Sequence, residues 1–111
     1  MAYDEDLAHR VRERLAEYEA VTERAMFGGL AFLLAGHMAV AVSGRGGLLV
    51  RLGPQGAEQA LGRLHVSQAQ MGARAMTGWV RVDAAGARTR PQVGAWVRRA
   101  SAFAATLPPK R

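Results

Sequence analysis

Three histidines and three serines are the residues of this sequence best suited to metal binding or nucleophilic catalysis. The histidines, His9, His37 and His65, show neither the i, i+4 spacing nor the short-turn spacing that prepares a metal site. After residue 23 the only carboxylates that could complete a ligand set are Glu58 and Asp83. Because the chain has no cysteine, thiolate-bound zinc, iron–sulfur clusters, disulfides and thiol nucleophiles are excluded. We therefore expect neither a metal nor another cofactor.

The same residues give little support to catalysis. A triad of Ser43, His37 and Asp83 can be drawn, but none of the serines lies in the strand–turn–helix context of a nucleophile elbow. Hydrolysis by paired carboxylates would require the fold to bring Glu58 and Asp83 together across a helix and a loop. This scarcity of proton-transferring groups predicts that the protein is not an enzyme. One alternative, ranked below the two binding functions described below, is an enzyme or small-molecule binder with a pocket beside Trp79 and His37.

Positive charge is distributed unevenly along the chain, whose formal net charge is +6. Residues 1–23 carry seven acidic residues against three arginines, whereas residues 24–111 carry twelve basic residues against two acidic ones. Fourteen of the fifteen basic residues are arginine, which favours bidentate contact with carboxylate or phosphate. The asymmetry indicates attraction between the first segment and the rest, an anionic partner, or simply a solvated basic surface.

A nucleic-acid- or anion-binding surface is therefore an alternative function. Its candidate contacts are Arg24, Arg45, Arg51, Arg74 and Arg81. Arg51 and Arg81 occupy strand positions and are expected to share one sheet face, with Arg24 near them. The glycine-rich segment Ser43–Gly47 lacks the ending and the following helix of a P-loop, so it predicts a hairpin, with an anion-gripping nest around Arg45 as the alternative. With few aromatic residues to stack on bases, such a surface would bind nucleic acid weakly.

Apolar periodicity predicts three helices. The first covers residues 4–18, because Leu7, Val11 and Leu15 recur on one face and three acidic residues lie in the first turn, where the helix dipole favours negative charge. The second runs from Gly53-Pro54 to about residue 64 and the third from about Pro91 to residue 106, each with a proline suited to a first turn.

Short apolar runs separated by glycines predict strands at about 22–27, 30–34, 38–43 and 48–52, with a fifth at 79–82. Their connections are too short for parallel crossovers, so we expect an antiparallel meander. Residues 65–75 show weak periodicity and are expected to be mostly loop. Residues 1–111 contain no repeat or linker, which predicts one α+β domain with an N-terminal helix, a sheet of about five strands and two later helices packed on one face.

The segment Thr22–Phe32, with the sequence TERAMFGGLAF, resembles the TfoX (Sxy) N-terminal domain family. The resemblance continues in the same order through Gly36 with Met38-Ala39, the strand Leu48–Arg51, the segment Met76–Val80, and Trp96 with the closing Leu107–Lys110. Residues 73–76 read Ala-Arg-Ala-Met where the family typically has Gly-Arg-Pro-Met. The motif residues are Arg24, Met26, Phe27, Gly28, Gly29, Gly78 and Trp79, and we expect them to be structural. Arg24 is further predicted to form an ion pair with the acid-rich first helix.

This resemblance implies a small α+β domain named after regulators of bacterial competence for DNA uptake, which act as transcriptional coactivators with the cyclic-AMP receptor protein. Those regulators carry a second, C-terminal domain, and this sequence is expected to be a stand-alone N-terminal domain. No catalytic residues come with the resemblance. The leading hypothesis is a cytoplasmic, non-enzymatic regulatory module that binds a protein partner, a transcription regulator being one candidate, or a second copy of itself through strand edges. No apolar run reaches the roughly 18 residues of a membrane-spanning helix, so no membrane partner is expected.

Overall fold

The first helix begins where the acidic residues predict. In the computed structural model, which describes residues 3–26 and 28–108, α1 spans Glu5–Leu15. The Asp4 carboxylate accepts a hydrogen bond from the Leu7 amide at 3.1 Å and so caps the helix. Leu7, Val11 and Leu15 are buried on one side, as their spacing predicts. The acidic start of the chain therefore has a local structural role.

In the described part of the chain, six antiparallel strands form one sheet in the order β1-β2-β3-β4-β6-β5. The strands are β1 Val21–Met26, β2 Gly29–Leu34, β3 His37–Val42, β4 Leu48–Arg51, β5 Val66–Met71 and β6 Arg74–Val82. The first four form the predicted meander. The chain then passes through α2, Gly53–Ala60, to the far edge of the sheet as β5 and returns as β6 between β4 and β5.

The prediction of a loop over residues 65–75 is wrong. Most of these residues belong to a hairpin of β5 and β6, in which Met71 pairs with Arg74 and Gly72 in the turn has a φ of +62°. β5 is a polar edge strand with a bulge between Gln68 and Gln70. Because a bulge interrupts the two-residue alternation of side chains, this strand leaves little periodic signal in the sequence. The sheet consequently has six strands instead of about five.

The three α-helices of the described residues pack on one face of the sheet. After a 3₁₀ helix at Ala84–Ala87, α3 spans Arg90–Ala104 and begins with a capping box. The Thr89 hydroxyl accepts from the Gln92 amide at 3.2 Å, and the Gln92 side chain accepts from the Thr89 amide at 2.9 Å. The largest fully buried side chains between sheet and helices are Phe32, Leu48, Val11, Val40, Val42, Val50, Val80, Val82, Val93 and Val97. We call the opposite face of the sheet the open face, because the described helices leave it uncovered.

The predicted ion pair between Arg24 and the first helix is wrong. The residue before it, Glu23, forms the ion pair instead, so the strand supplies the acidic partner and the helix the basic one. Arg12 of α1 pairs with Glu23 of β1, Nε to Oε2 at 2.6 Å. Glu23 lies opposite Phe32, on the helix-covered face, whereas Arg24 lies opposite Ala31 and projects from the open face. Since side chains alternate along a strand, only one of the two charged residues can face α1.

Some predictions concern residues outside the described ranges. Phe27, Pro109 and Lys110, which belong to the motifs quoted above, are among them. The three predicted helices are confirmed with shorter ends, and the fifth predicted strand is the second half of β6. Within the described residues the longest helix, α3, has fifteen residues, and none combines the length and apolar character needed to cross a membrane.

Candidate binding groove on the open face of the sheet

A single row of directly paired residues crosses the open face through all six strands. The row consists of Arg24, Ala31, Ala41, Leu49, Arg81 and Ser67. Directly paired residues project from the same side of a sheet. The centre of the row is thus small or apolar, and a guanidinium lies toward each end. Arg24 and Arg81 are separated by four strand spacings, about 19 Å.

A concave groove of about 1000 Å³ follows this row from Ala31 to Ser67. Its apolar surface includes Leu49, Trp79 and four of the five methionines of the chain. These methionines are Met26, Met38, Met71 and Met76. Methionine is unbranched and polarizable, so a surface rich in it can adapt to partner side chains of different shapes. Met71, at the tip of the β5–β6 hairpin, is 47% exposed.

Arg81 holds the glycine-rich hairpin against the groove. Its Nη1 donates to the Ser43 hydroxyl at 3.1 Å, and its Nη2 donates to the Gly46 carbonyl at 2.7 Å and to the Arg45 carbonyl at 3.4 Å. All three acceptors are uncharged, so the hydrogen bonds position the guanidinium without neutralising its charge. The predicted hairpin at Ser43–Gly47 is confirmed, and Arg81 fixes it from β6.

Two more arginines line the groove. Arg51 contacts the Met38 carbonyl through Nη1 at 3.4 Å, and its Cζ lies 5.6 Å from the centroid of the Phe103 ring. Arg45 is exposed, and its backbone amide donates to the Ser43 hydroxyl. Among the described residues lining the groove there is no Asp or Glu. The described lining therefore presents three guanidinium groups and no carboxylate.

The five candidate arginines do not all converge. Arg45, Arg51 and Arg81 line the groove, and Arg51 and Arg81 share one sheet face as predicted. Arg24 is exposed on the same face at the β1 edge, outside the groove. Arg74 is exposed at the start of β6, beside the hairpin turn, and also lies outside the groove.

The residues of the drawn triad have separate partners. Ser43 binds Arg81, whereas the His37 ring contacts the Pro108 carbonyl. Asp83 pairs with His65, Nδ1 to Oδ1 at 3.0 Å. Desolvation acts to raise the pKa of Asp83, but hydrogen bonds from His65 and the Gly86 amide hold it below its usual value. His37 begins β3, whereas Ser43 follows its end. Trp79 lines the groove, but His37 does not.

No cluster of three or more His, Cys, Asp or Glu residues suited to a metal ion occurs among residues 3–26 and 28–108. The three histidines lie far apart in the fold. His9 is exposed on α1, His37 begins β3 and His65 precedes β5. In the described part of the chain, the chemistry available to the groove is apolar contact, hydrogen bonding and attraction of anions.

Two segments distant in sequence meet at the groove, and both belong to the motifs noted above. Met26, Gly28 and Gly29 reach it from the β1–β2 hairpin, and Met76 and Trp79 reach it from β6. A Cβ on Gly29 would overlap the Val42 carbonyl of the neighbouring strand, so this position requires glycine. Gly29 thus shapes the hairpin, and all five residues form part of the groove surface.

Sequence reasoning found the arginines but missed the methionines. Met38, Met71 and Met76 were not among the candidate site residues, although Met38 and Met76 occur in the segments that carry the resemblance. The available signal is that four methionines fall at strand positions of one small sheet. The hairpin that brings Met71 and Met76 over the open face was expected to be mostly loop, which hid their proximity.

The fold and the site together define a class of protein. It is an α+β domain with helices on one face of the sheet and a groove on the other. A model of the TfoX N-terminal domain family matches residues 13–104. This match covers most of the chain, and the chain belongs to the TfoX N-terminal domain family. The resemblance drawn from the motif residues is thereby confirmed. Searches of curated proteins and of solved structures find no significant match.

Proposed function

We propose that this domain is a non-enzymatic interaction module, and that its open-face groove binds a segment of a protein partner carrying both apolar side chains and carboxylates. The main support is the composition of the groove. Four methionines and three arginines line it, and its described lining has no acidic residue. Apolar side chains of the segment would contact the methionines, and its carboxylates would contact the arginines. Membership of the TfoX N-terminal domain family makes a regulatory partner the first candidate.

Charge complementarity decides the type of segment. Arg45, Arg51 and Arg81 bring positive charge to the groove, and the described lining provides nothing to balance it. A carboxylate placed between them would gain charge-assisted hydrogen bonds at a partly desolvated surface. A purely apolar segment would leave this charge unpaired, and a basic one would be repelled.

The composition of the groove supports a protein partner over nucleic acid. Single-stranded nucleic acids are bound by stacking their bases on exposed aromatic rings. Trp79 is the aromatic residue of the described lining and is only 9% exposed. The arginines could still contact phosphates, but without stacking such contacts are weak and lost with added salt.

Two further parts of the proposal follow from the residues present. The described groove contains no carboxylate or histidine to transfer a proton, which supports binding rather than catalysis. The absence of cysteine fits a reducing compartment, so we place the domain in the cytoplasm.

The test uses peptides of defined sequence. Random peptides displayed on phage are selected on the full chain, and the enriched sequences are synthesised and titrated by fluorescence anisotropy. We expect the selected peptides to combine Asp or Glu with apolar residues. Arg45→Glu should weaken their binding by about tenfold or more, the loss expected for one charge-assisted hydrogen bond.

The matched control is Arg98→Glu, which makes the same charge change at an exposed position on α3, away from the groove. It should leave peptide affinity unchanged. The proposal fails if Arg98→Glu weakens binding as much as Arg45→Glu, because net charge alone would then explain the result. It also fails if a fluorescein-labelled single-stranded oligonucleotide binds more tightly than every selected peptide at physiological salt.

A further inference from the structure

Two guanidinium groups share one indole ring on the helix side of the protein. The Cζ atoms of Arg63 and Arg99 each lie 5.2 Å from the centroid of the Trp96 ring. Arg63 follows α2, and Arg99 lies one turn after Trp96 on α3. Because both distances are measured to the same point, the two Cζ atoms cannot be farther apart than twice this distance. Trp96 itself is only 6% exposed, so its ring forms the base of the cluster.

The two charges have no acidic counterpart among the described residues. The ion pairs there are Arg12–Glu23, His65–Asp83 and Arg90–Glu13, and neither Arg63 nor Arg99 takes part in one. Nη1 of Arg99 is buried and has no hydrogen-bond partner within residues 3–26 and 28–108. Burial, and secondly the charge of Arg63, lower the pKa of Arg99. Two like charges thus lie no more than about 10 Å apart and one donor is unsatisfied, an arrangement that an anion would stabilise.

We propose that Arg63 and Arg99 bind a phosphate group beside Trp96. Two guanidinium groups carry two positive charges and offer planar pairs of donors, which match the charge and the several oxygens of a phosphate dianion better than the single charge of a carboxylate. Bound phosphate would balance both charges. The site lies on the opposite side of the sheet from the open-face groove and does not depend on the function proposed for that groove.

The indole N–H resonance of Trp96 reports directly on this site. The full chain, labelled with ¹⁵N, is titrated with inorganic phosphate at constant ionic strength, and the two tryptophan indole signals are followed by NMR. We expect a saturable shift of the Trp96 signal and no comparable shift for Trp79, which lines the groove. O-phosphoserine tests whether a phosphate ester binds as well as the free ion, and acetate tests whether any small carboxylate suffices.

Substitutions make the assignment specific. Arg63→Gln should weaken phosphate binding by about tenfold, the loss expected for one charge-assisted contact. Arg63 is exposed, so this variant should fold even if Arg99→Gln does not. Arg98→Gln changes the neighbouring exposed arginine and should have no effect. A Trp96 signal that does not move with phosphate, an equal response to acetate, or equal losses in Arg63→Gln and Arg98→Gln would each overturn the proposal.

Discussion

Arg12 and Glu23 connect the first helix to the edge strand of the sheet through two parallel hydrogen bonds. Nε donates to Oε2 at 2.6 Å and Nη2 donates to Oε1 at 2.9 Å. The same guanidinium lies 5.9 Å from the centroid of the Phe32 ring. A bidentate pair is geometrically specific, but its side chains are 48% and 35% exposed, so solvent screens much of its energy.

This ion pair should make stability depend on pH. The hydrogen bond from Arg12 lowers the pKa of Glu23 below its usual value. A carboxyl whose pKa is lower in the folded state contributes stability above its unfolded pKa and loses that contribution as pH falls through the folded value. We expect Glu23→Gln to reduce the free energy of unfolding by up to about 1 kcal/mol at pH 7 and by almost nothing in strong acid. Urea unfolding at pH 7 and pH 2 measures the difference. Glu17→Gln, at an exposed position between α1 and β1, is the control. If it reduced the free energy of unfolding at pH 7 as much as Glu23→Gln, the prediction would be contradicted.

The two glycines between β1 and β2 should differ in their tolerance of alanine. Gly28 has a φ of +76° and open space where a Cβ would lie, so Gly28→Ala should cost only the backbone penalty of about 1–2 kcal/mol. At Gly29 a Cβ would overlap the Val42 carbonyl, and β2 and β3 would have to separate. We expect Gly29→Ala to cost more than about 3 kcal/mol. Thermal and urea unfolding of both variants measure the two losses of stability. A larger loss for Gly28→Ala than for Gly29→Ala would contradict the prediction.

The stability of the N-terminal turn of α3 should depend on the side chain of Thr89. Its hydroxyl accepts from the Gln92 amide at 3.2 Å. Thr89→Ala removes this cap and should lower the free energy of unfolding by about 1 kcal/mol. Thr77→Ala replaces an exposed threonine on β6, where β-propensity rather than capping applies. If Thr89→Ser does not recover most of the loss, the capping explanation is incorrect.

Arg81 should control the mobility of the glycine-rich hairpin. Arg81→Gln shortens the side chain and removes contacts to Ser43 and to the Gly46 carbonyl, at a cost of about 1 kcal/mol in global stability. The larger effect should be local, as faster hydrogen exchange at the Ser43 and Gly46 amides, which close the turn. Arg74→Gln, at an exposed position on the same strand, is the control. Unchanged exchange at these amides would show that the hairpin is held by its own turn alone.

Strongly periodic and capped elements could be predicted from the sequence. The spacing of Leu7, Val11 and Leu15 and the prolines in the first turns of α2 and α3 located all three predicted helices, because these signals act within one or two turns. The glycine breaks located the four-strand meander for the same reason. β5 was missed because its bulge and polar side chains suppress the alternation that identifies a strand. The pairing of β6 with β4 depends on the crossover through α2, which no local pattern encodes.

The candidate site was only partly accessible from the sequence. Residues Arg51 and Arg81 were placed on one face because strand parity alone decides that relationship. The ion-pair partner of α1 was assigned to Arg24 instead of Glu23, an error of one residue that moves a side chain to the other face. The groove itself depends on the path of the β5–β6 hairpin, and the Arg63–Arg99 cluster depends on how the end of α2 lies against α3. Such relationships arise from packing between distant segments.

The position of β6 between β4 and β5 has a consequence for synthesis on the ribosome. β4 ends at Arg51, but the strand that covers its free edge begins only at Arg74. While the intervening residues emerge, the nascent meander presents an unpaired edge whose Leu48 and Val50 are completely buried in the finished fold. An unpaired apolar edge is where chains join one another, so the polypeptide should be prone to aggregate during this interval of translation.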